Sequence, residues 1–207
     1  MTNRILTTTF QSLAAGAVVT VIAAHGAYAA DKVRLSGVIE SVKDDTLQMK
    51  SVDGKEIMVM IGPQMKIMGM KNATVADIKP GDFVGVGSEP TASGVNGAVQ
   101  VVIFPASMKG TGEGDRAWNV RPNGQMTNAT VADAVKSVDG PSLTLAYKGG
   151  QRKVNIPAGT TILALASATK DDLKPGAALS VQGETSGDDM VTAEALRVGI
   201  DGATPPK

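Results

Sequence analysis

Five methionines, Met58, Met60, Met65, Met68 and Met70, fall within thirteen residues. A thioether is a soft ligand suited to Cu(I) or Ag(I), and methionine also fills irregular gaps in protein cores. The chain carries its own control for choosing between these roles. Asp77-Ile78-Lys79-Pro80-Gly81 has a partner in Asp172-Leu173-Lys174-Pro175-Gly176, about 95 residues on, and the same order of strand-like and turn-like segments surrounds each. A period that long fits two domains of one kind. In this alignment Val59 and Ile61 match Val154 and Ile156, an inward face. Met58 and Met60 match Lys153 and Asn155, so alternation along the strand turns both outward. Met65 matches Thr160, again polar, whereas Met68 and Met70 match Leu163 and Leu165 and read as core. Met58, Met60 and Met65 thus stand where the sister copy is polar. They are expected to form a contact surface for a partner protein or a small apolar ligand or, as the alternative, a Cu(I)/Ag(I) site.

Other chemistry is limited by what the exported chain lacks. Arg4, the apolar run Leu13–Ala24 and Ala27-Tyr28-Ala29 have the three parts of a secretory signal peptide, and the run is too short to span a bilayer. Cleavage near Ala29 or Ala30 is expected, giving a periplasmic or secreted protein without a membrane span. Cleavage removes His25, the single histidine, and the chain has no cysteine. Nucleophilic sites of the Ser-His-Asp and Cys-His kinds then have no base or thiol, and ordinary zinc sites lose their nitrogen and sulfur ligands. One base and no acid leave with the segment, so the formal charge moves from +0 to −1. That balance carries no electrostatic footprint for nucleic acid, and Phe83, Phe104, Trp118 and Tyr147 are too few to stack a single strand.

The remaining motifs read as punctuation. Gly110-Thr111-Gly112-Glu113-Gly114 lacks the Gly-Lys-Ser/Thr ending of a phosphate loop and reads as linker. Trp118, beside Arg116, is expected to pin that linker onto a barrel or to make a cation–π contact, and it joins the candidates for the ligand or partner surface. The pairs Asp44-Asp45, Asp171-Asp172 and Asp188-Asp189 sit in turns, where carboxylates are normally solvated, and no EF-hand spacing is present.

Short β-branched runs between glycines predict an all-β fold. Strands are expected over Lys32–Val42, Thr46–Ser51, Lys55–Ile61, Asp82–Ser88 and Ala98–Phe104. In the second copy they are expected over Ala129–Val138, Ser142–Tyr147, Gln151–Ile156, Ala177–Gln182 and Val191–Ile200, with Thr161–Leu165 the counterpart of the short apolar piece Met65–Met70. Asp53-Gly54 and Gly149-Gly150 mark hairpins, and Asp139-Gly140-Pro141 marks a turn. Thr74 with Asp77, and Thr169 with Asp172, have capping-box spacing with a shorter acid. Three strands, a helical turn and two strands is the order of a small OB-type barrel, whose second and third strands form the usual binding face. Gln48 and Lys50 face outward beside Met58 and Met60 on that surface. The expected organisation is a signal peptide at 1–30, a first OB-like domain at 31–104, a Gly/Pro-rich linker at 105–127, a second OB-like domain at 128–201 and a disordered tail at 202–207. Asn72–Asp77 recurs letter for letter as Asn128–Asp133, but the segments C-terminal to the two hexapeptides do not match, so the identity is out of register.

The run Val33–Phe104, with its Asp-Gly hairpin and Ile-Lys-Pro-Gly-Asp-Phe-Val-Gly-Val, resembles a family of exported bacterial β-domains of unknown function. The linker Gly110–Gly114 through Trp118 and Met126–Val131 resemble that family's two-copy members, some of which are labelled metal-transporter permeases. The resemblance implies no catalytic residues. The methionines of the first copy also loosely resemble those of periplasmic copper-binding OB proteins, whose histidine ligand has no equivalent here. Together these readings describe a non-enzymatic binding or interaction module.

Overall fold

The computed structural model describes residues 31–137, 140–185 and 189–206. The expected signal peptide, Asp139 of the Asp-Gly-Pro turn and Asp188 of the last acidic pair lie outside them. The described chain is all-β. The strands of the first copy are β1 (Lys32–Lys43), β2 (Thr46–Ser51), β3 (Glu56–Met60), β4 (Ile67–Asn72), β5 (Phe83–Glu89) and β6 (Asn96–Phe104). A short strand β7 (Gly114–Ala117) comes next in the chain. The second copy contributes β8 (Gln125–Ser137), β9 (Gly140–Tyr147), β10 (Gly150–Asn155), β11 (Thr161–Ser167), β12 (Ala178–Thr185) and β13 (Met190–Gly199).

Local chemistry explains the turns. Gly81 and Gly176 sit at φ 93° and 87°, where a side chain would be strained. Each follows a proline, and Asp82 and Ala177 close the turns by donating to the carbonyls of Lys79 and Lys174. Before each turn lies a single 3-10 turn, Val75–Asp77 or Lys170–Asp172, held by a capping box from Thr74 or Thr169. The Thr74 hydroxyl and amide, both donating to the Asp77 carboxylate, hold that group below its ordinary pKa. The twin hexapeptides show how far context rules. Asn72–Asp77 leaves β4 and enters the 3-10 turn, whereas Asn128–Asp133 runs straight along β8.

The strand pairings correct the expected one-barrel-per-copy division. β1, β2 and β3 pair in antiparallel order but do not close with β5 and β6. The ring closes through β12, which pairs with β1 from Lys32↔Glu184 to Val38↔Ala178, and through β13, parallel to β3 at Met58↔Met190. The second ring is built the other way round. β8, β9 and β10 close with β5 and β6, through Phe83↔Thr130 to Ser88↔Gln125 and the parallel pair Val154↔Asn96. Each ring therefore takes three strands from one copy and two from the other. Each has its own core. Ile39, Leu47, Val59, Leu179, Val181 and Leu196 lie in the first, and Val84, Val86, Val131, Leu143, Leu145 and Val154 in the second.

The physical reason for the exchange is β4 and its counterpart β11. The copy does not turn back after β3. Instead, β4 runs as a strand between β13 and β11, and β11 in turn pairs with β6. These two strands carry the chain across the seam between barrels, one in each direction.

Two further expectations are corrected. The segment 105–127 is part of the sheet, because β7 pairs with the start of β8 from Gly114↔Asn128 to Ala117↔Gln125. Asp115 on β7 accepts a hydrogen bond from the Thr127 hydroxyl at 2.7 Å and forms an ion pair with Arg152 of β10. The tail is also built in as far as Pro206. Asp201 and Gly202 take left-handed φ values of 52° and 78°, folding Ala203 and Pro205 back into buried positions. Gly199 permits this, since a Cβ there would lie 1.7 Å from the Ala203 carbonyl oxygen.

Candidate functional site

The outer faces of both barrels meet at the seam, and a cleft of about 410 Å³ opens there. Its walls arise from strand alternation. On β5, Val84 and Val86 point into the second core, so Gly85 and Gly87 face the cleft side. Glycine inside a strand commonly marks a close approach by another group. A Cβ on Gly87 would come within 2.7 Å of the Trp118 ring, and one on Gly85 within 2.9 Å of Asn128 Oδ1 and 3.1 Å of Phe104. The missing side chains thus let Trp118 and Phe104 lie against the sheet. Phe104 is held edge-on to Phe83, with ring centroids 5.5 Å apart. Asn128 donates from Nδ2 to the Thr111 carbonyl at 3.1 Å, tying the 105–113 segment over this wall.

The opposite wall comes from the crossing strands. Met68 and Met70 on β4 and Leu165 on β11 line it, with Val102 of β6 beside them. Met70 is buried with Leu163 and Ala203 in a small cluster at the seam. Met108 and Met126 complete the apolar lining, and Gln100 adds an amide. At the first barrel's end stand Arg34 of β1 and Arg197 of β13, and at the second barrel's end Arg116. Arg116 donates to the Gly112 carbonyl at 3.1 Å. Burial lowers the pKa of Arg197, and the like charge of Arg34 lowers it further. Among the described lining residues there is no carboxylate, histidine or cysteine.

Comparison with family models, with curated proteins and with solved structures finds no match. The geometry alone must therefore carry any functional reading.

The residues singled out from the sequence fall in two places. Trp118 lines the cleft and covers Gly87. Met58 and Met60 lie elsewhere, on the outer surface of the first barrel, 48% and 45% exposed. Gln48 and Lys50 are exposed on the neighbouring β2, where Gln48 pairs opposite Met58 and donates to Glu56 at 3.0 Å. Met65 does not join them, because it packs against the first barrel's core. A different methionine does: Met190 of β13 stands opposite Met58 in the parallel pairing. Among the described residues no group of three or more His, Cys, Asp or Glu side chains could hold a metal.

Sequence reasoning missed Arg34, Arg197, Met108, Met126 and Phe104 as cleft residues. Met68 and Met70 were expected in a core, and Met68 instead is half-buried in the cleft wall. One local signal was present. Phe83-Val84-Gly85-Val86-Gly87 alternates valine with glycine, a strand with one packed face and one bare face.

Proposed function

We propose that this chain is a non-enzymatic binding protein, periplasmic or secreted, built of two OB-type barrels and taking a ligand with an apolar body in the cleft at their seam. The single observation that carries the reading is the cleft itself. Thioether, aromatic and aliphatic groups line a volume within the usual ligand range, with arginines only at its ends. The described lining holds no carboxylate, histidine or cysteine, so the site offers contact and orientation and none of the usual general acids or bases. The OB reading rests on each ring's composition, three consecutive antiparallel strands closed by a strand pair from the other copy.

The chain's single tryptophan reports directly on this site. Titration with the uncharged probe N-phenyl-1-naphthylamine is expected to quench Trp118 emission saturably, by energy transfer to the bound dye. Met68→Lys, which puts a cation into the apolar wall, is expected to weaken the probe at least about tenfold while the far-UV spectrum stays unchanged. Equal binding by wild type and Met68→Lys, or no quenching at saturation, would remove the cleft as the site.

A second reading has one observation in its favour. Met58, Met60 and Met190 share one outer patch on adjacent strands, and three thioethers are a suitable donor set for Cu(I) or Ag(I). Under reducing conditions, Met58→Leu and Met60→Leu should each weaken Cu(I) binding, whereas Met65→Leu should not. Affinity no tighter than about micromolar, or indifference to the first two changes, would end this reading.

A further inference from the structure

Arg34 and Arg197 are brought together by the strand exchange, not by the sequence. Arg34 lies near the start of β1 and Arg197 near the end of β13, 163 positions apart. β12 separates their strands in the first barrel. Arg34 stands opposite Gln182 and Arg197 opposite Ser180, so the two guanidiniums occupy neighbouring rows of one outer face. On its other side Arg197 stands opposite Met68, the cleft wall.

Two like charges facing each other across one strand, Arg197 half-buried and Arg34 exposed, require a reason. The ion pairs among the described residues are Lys32–Glu194, Arg152–Asp115 and Lys170–Asp45, and none involves Arg34 or Arg197. The Ser180 hydroxyl, on β12 directly opposite Arg197, is buried and has no partner among the described groups. Burial and the neighbouring cation both act against the charge on Arg197, and an anion placed between the two guanidiniums would offset both penalties. Arginine is the side chain suited to this, because its planar fork meets a carboxylate with two parallel hydrogen bonds.

We propose that the Arg34–Arg197 end of the cleft holds the anionic head of an amphipathic ligand, an alkyl or aryl carboxylate, whose apolar body lies along Met68, Met70 and Phe104 toward Trp118. The proposal rests on the cleft being the binding site and adds the charge and polarity of what it binds. The arginine pair selects the head, and the methionines, being unbranched and polarizable, accept bodies of varied shape.

Calorimetric titration of the full chain with decanoate, decanol, decyltrimethylammonium and acetate separates these parts. Decanoate is expected to bind at least about tenfold more tightly than decanol, in line with the strength of charge-assisted hydrogen bonds. Acetate and the quaternary amine should show no saturable binding. Arg34→Gln and Arg197→Gln should each weaken decanoate about tenfold, a much larger loss than either causes for decanol. Arg197→Lys should recover only part of the loss, since it keeps the charge without the fork. Arg34 is exposed, so its replacement tests the pair without disturbing the core. Decanol binding as tightly as decanoate, or decanoate indifferent to both glutamine variants, overturns the anion site while leaving the cleft reading in place. Failure of both decanoate and decanol overturns the two together. Binding to anionic phospholipid vesicles without binding to free decanoate would assign the arginines to a lipid surface and also overturns the proposal.

Discussion

A single cut in the backbone between Val120 and Arg121 should leave one particle, not two. The segment 119–123 is exposed, held by a turn in which the Trp118 amide donates to the Gly124 carbonyl at 2.8 Å. An exposed turn of this kind accepts a protease recognition sequence with little cost. Cleavage there leaves the described residues up to 120 in one fragment and those from 121 in the other. In two barrels made one per copy, nothing but surface contact would join the pieces. Here β1 pairs with β12, β3 and β4 with β13, β4 and β6 with β11, β5 with β8 and β6 with β10. Neither fragment holds all five strands of either ring, and alone each would expose core strands and unpaired edges. The nicked protein is expected to elute in gel filtration at the uncut position, to show two bands only after denaturation, and to release its fragments only in urea. Fragments that part in native buffer would overturn the interleaved arrangement.

That arrangement could not be read from the sequence, for a definite reason. The signals of strands and turns are local. Asp53-Gly54, with Gly54 at φ 87°, Lys79-Pro80-Gly81 and the alternation of Leu47 and Met49 with Gln48 and Lys50 all specify structure within a few residues, and all appear where expected. The partner of a strand's free edge is not local. Because the two copies repeat the same pattern, β3 could present its edge equally well to β6 or to β13. The choice falls on whichever route β4 takes, and Met65–Met70 reads only as a short apolar piece, whereas the strand begins at Ile67 and runs on to Asn72. The cleft was hidden by the same ambiguity. Arg34, Arg197 and Trp118 come together only after the exchange is made, so no spacing in the sequence marks them. The comparison of copies did succeed on one point that depends on alternation alone: it separated Met58 and Met60, which are exposed, from Met70, which is buried.

The same interleaving fixes how the protein should unfold. Leu47→Ala lies in the first core and Leu145→Ala in the second, and both side chains are fully buried, at 1% and 0% exposure. Each change removes a packed leucine and leaves a cavity, at a cost of about 3 kcal/mol. With independent barrels, each variant would lower one of two transitions and leave the other in place. Here loss of the first barrel frees β12 and β13, and with them the edge against which β4 lies. Release of β4 strips β11 of a neighbour, and β11 is the strand that flanks β6 of the second barrel. The second barrel cannot keep its strands while the chain that delivers them is loose. Urea unfolding followed by Trp118 fluorescence, which reports the second barrel and the seam, and by far-UV dichroism, which reports the whole, should therefore give one coincident transition for the wild type. Both leucine variants should shift that transition by similar amounts, although they sit in different barrels and different copies. Two resolved transitions, or a Leu47→Ala variant whose Trp118 signal keeps the wild-type midpoint, would show that the barrels fold separately and that the seam is only a contact between them.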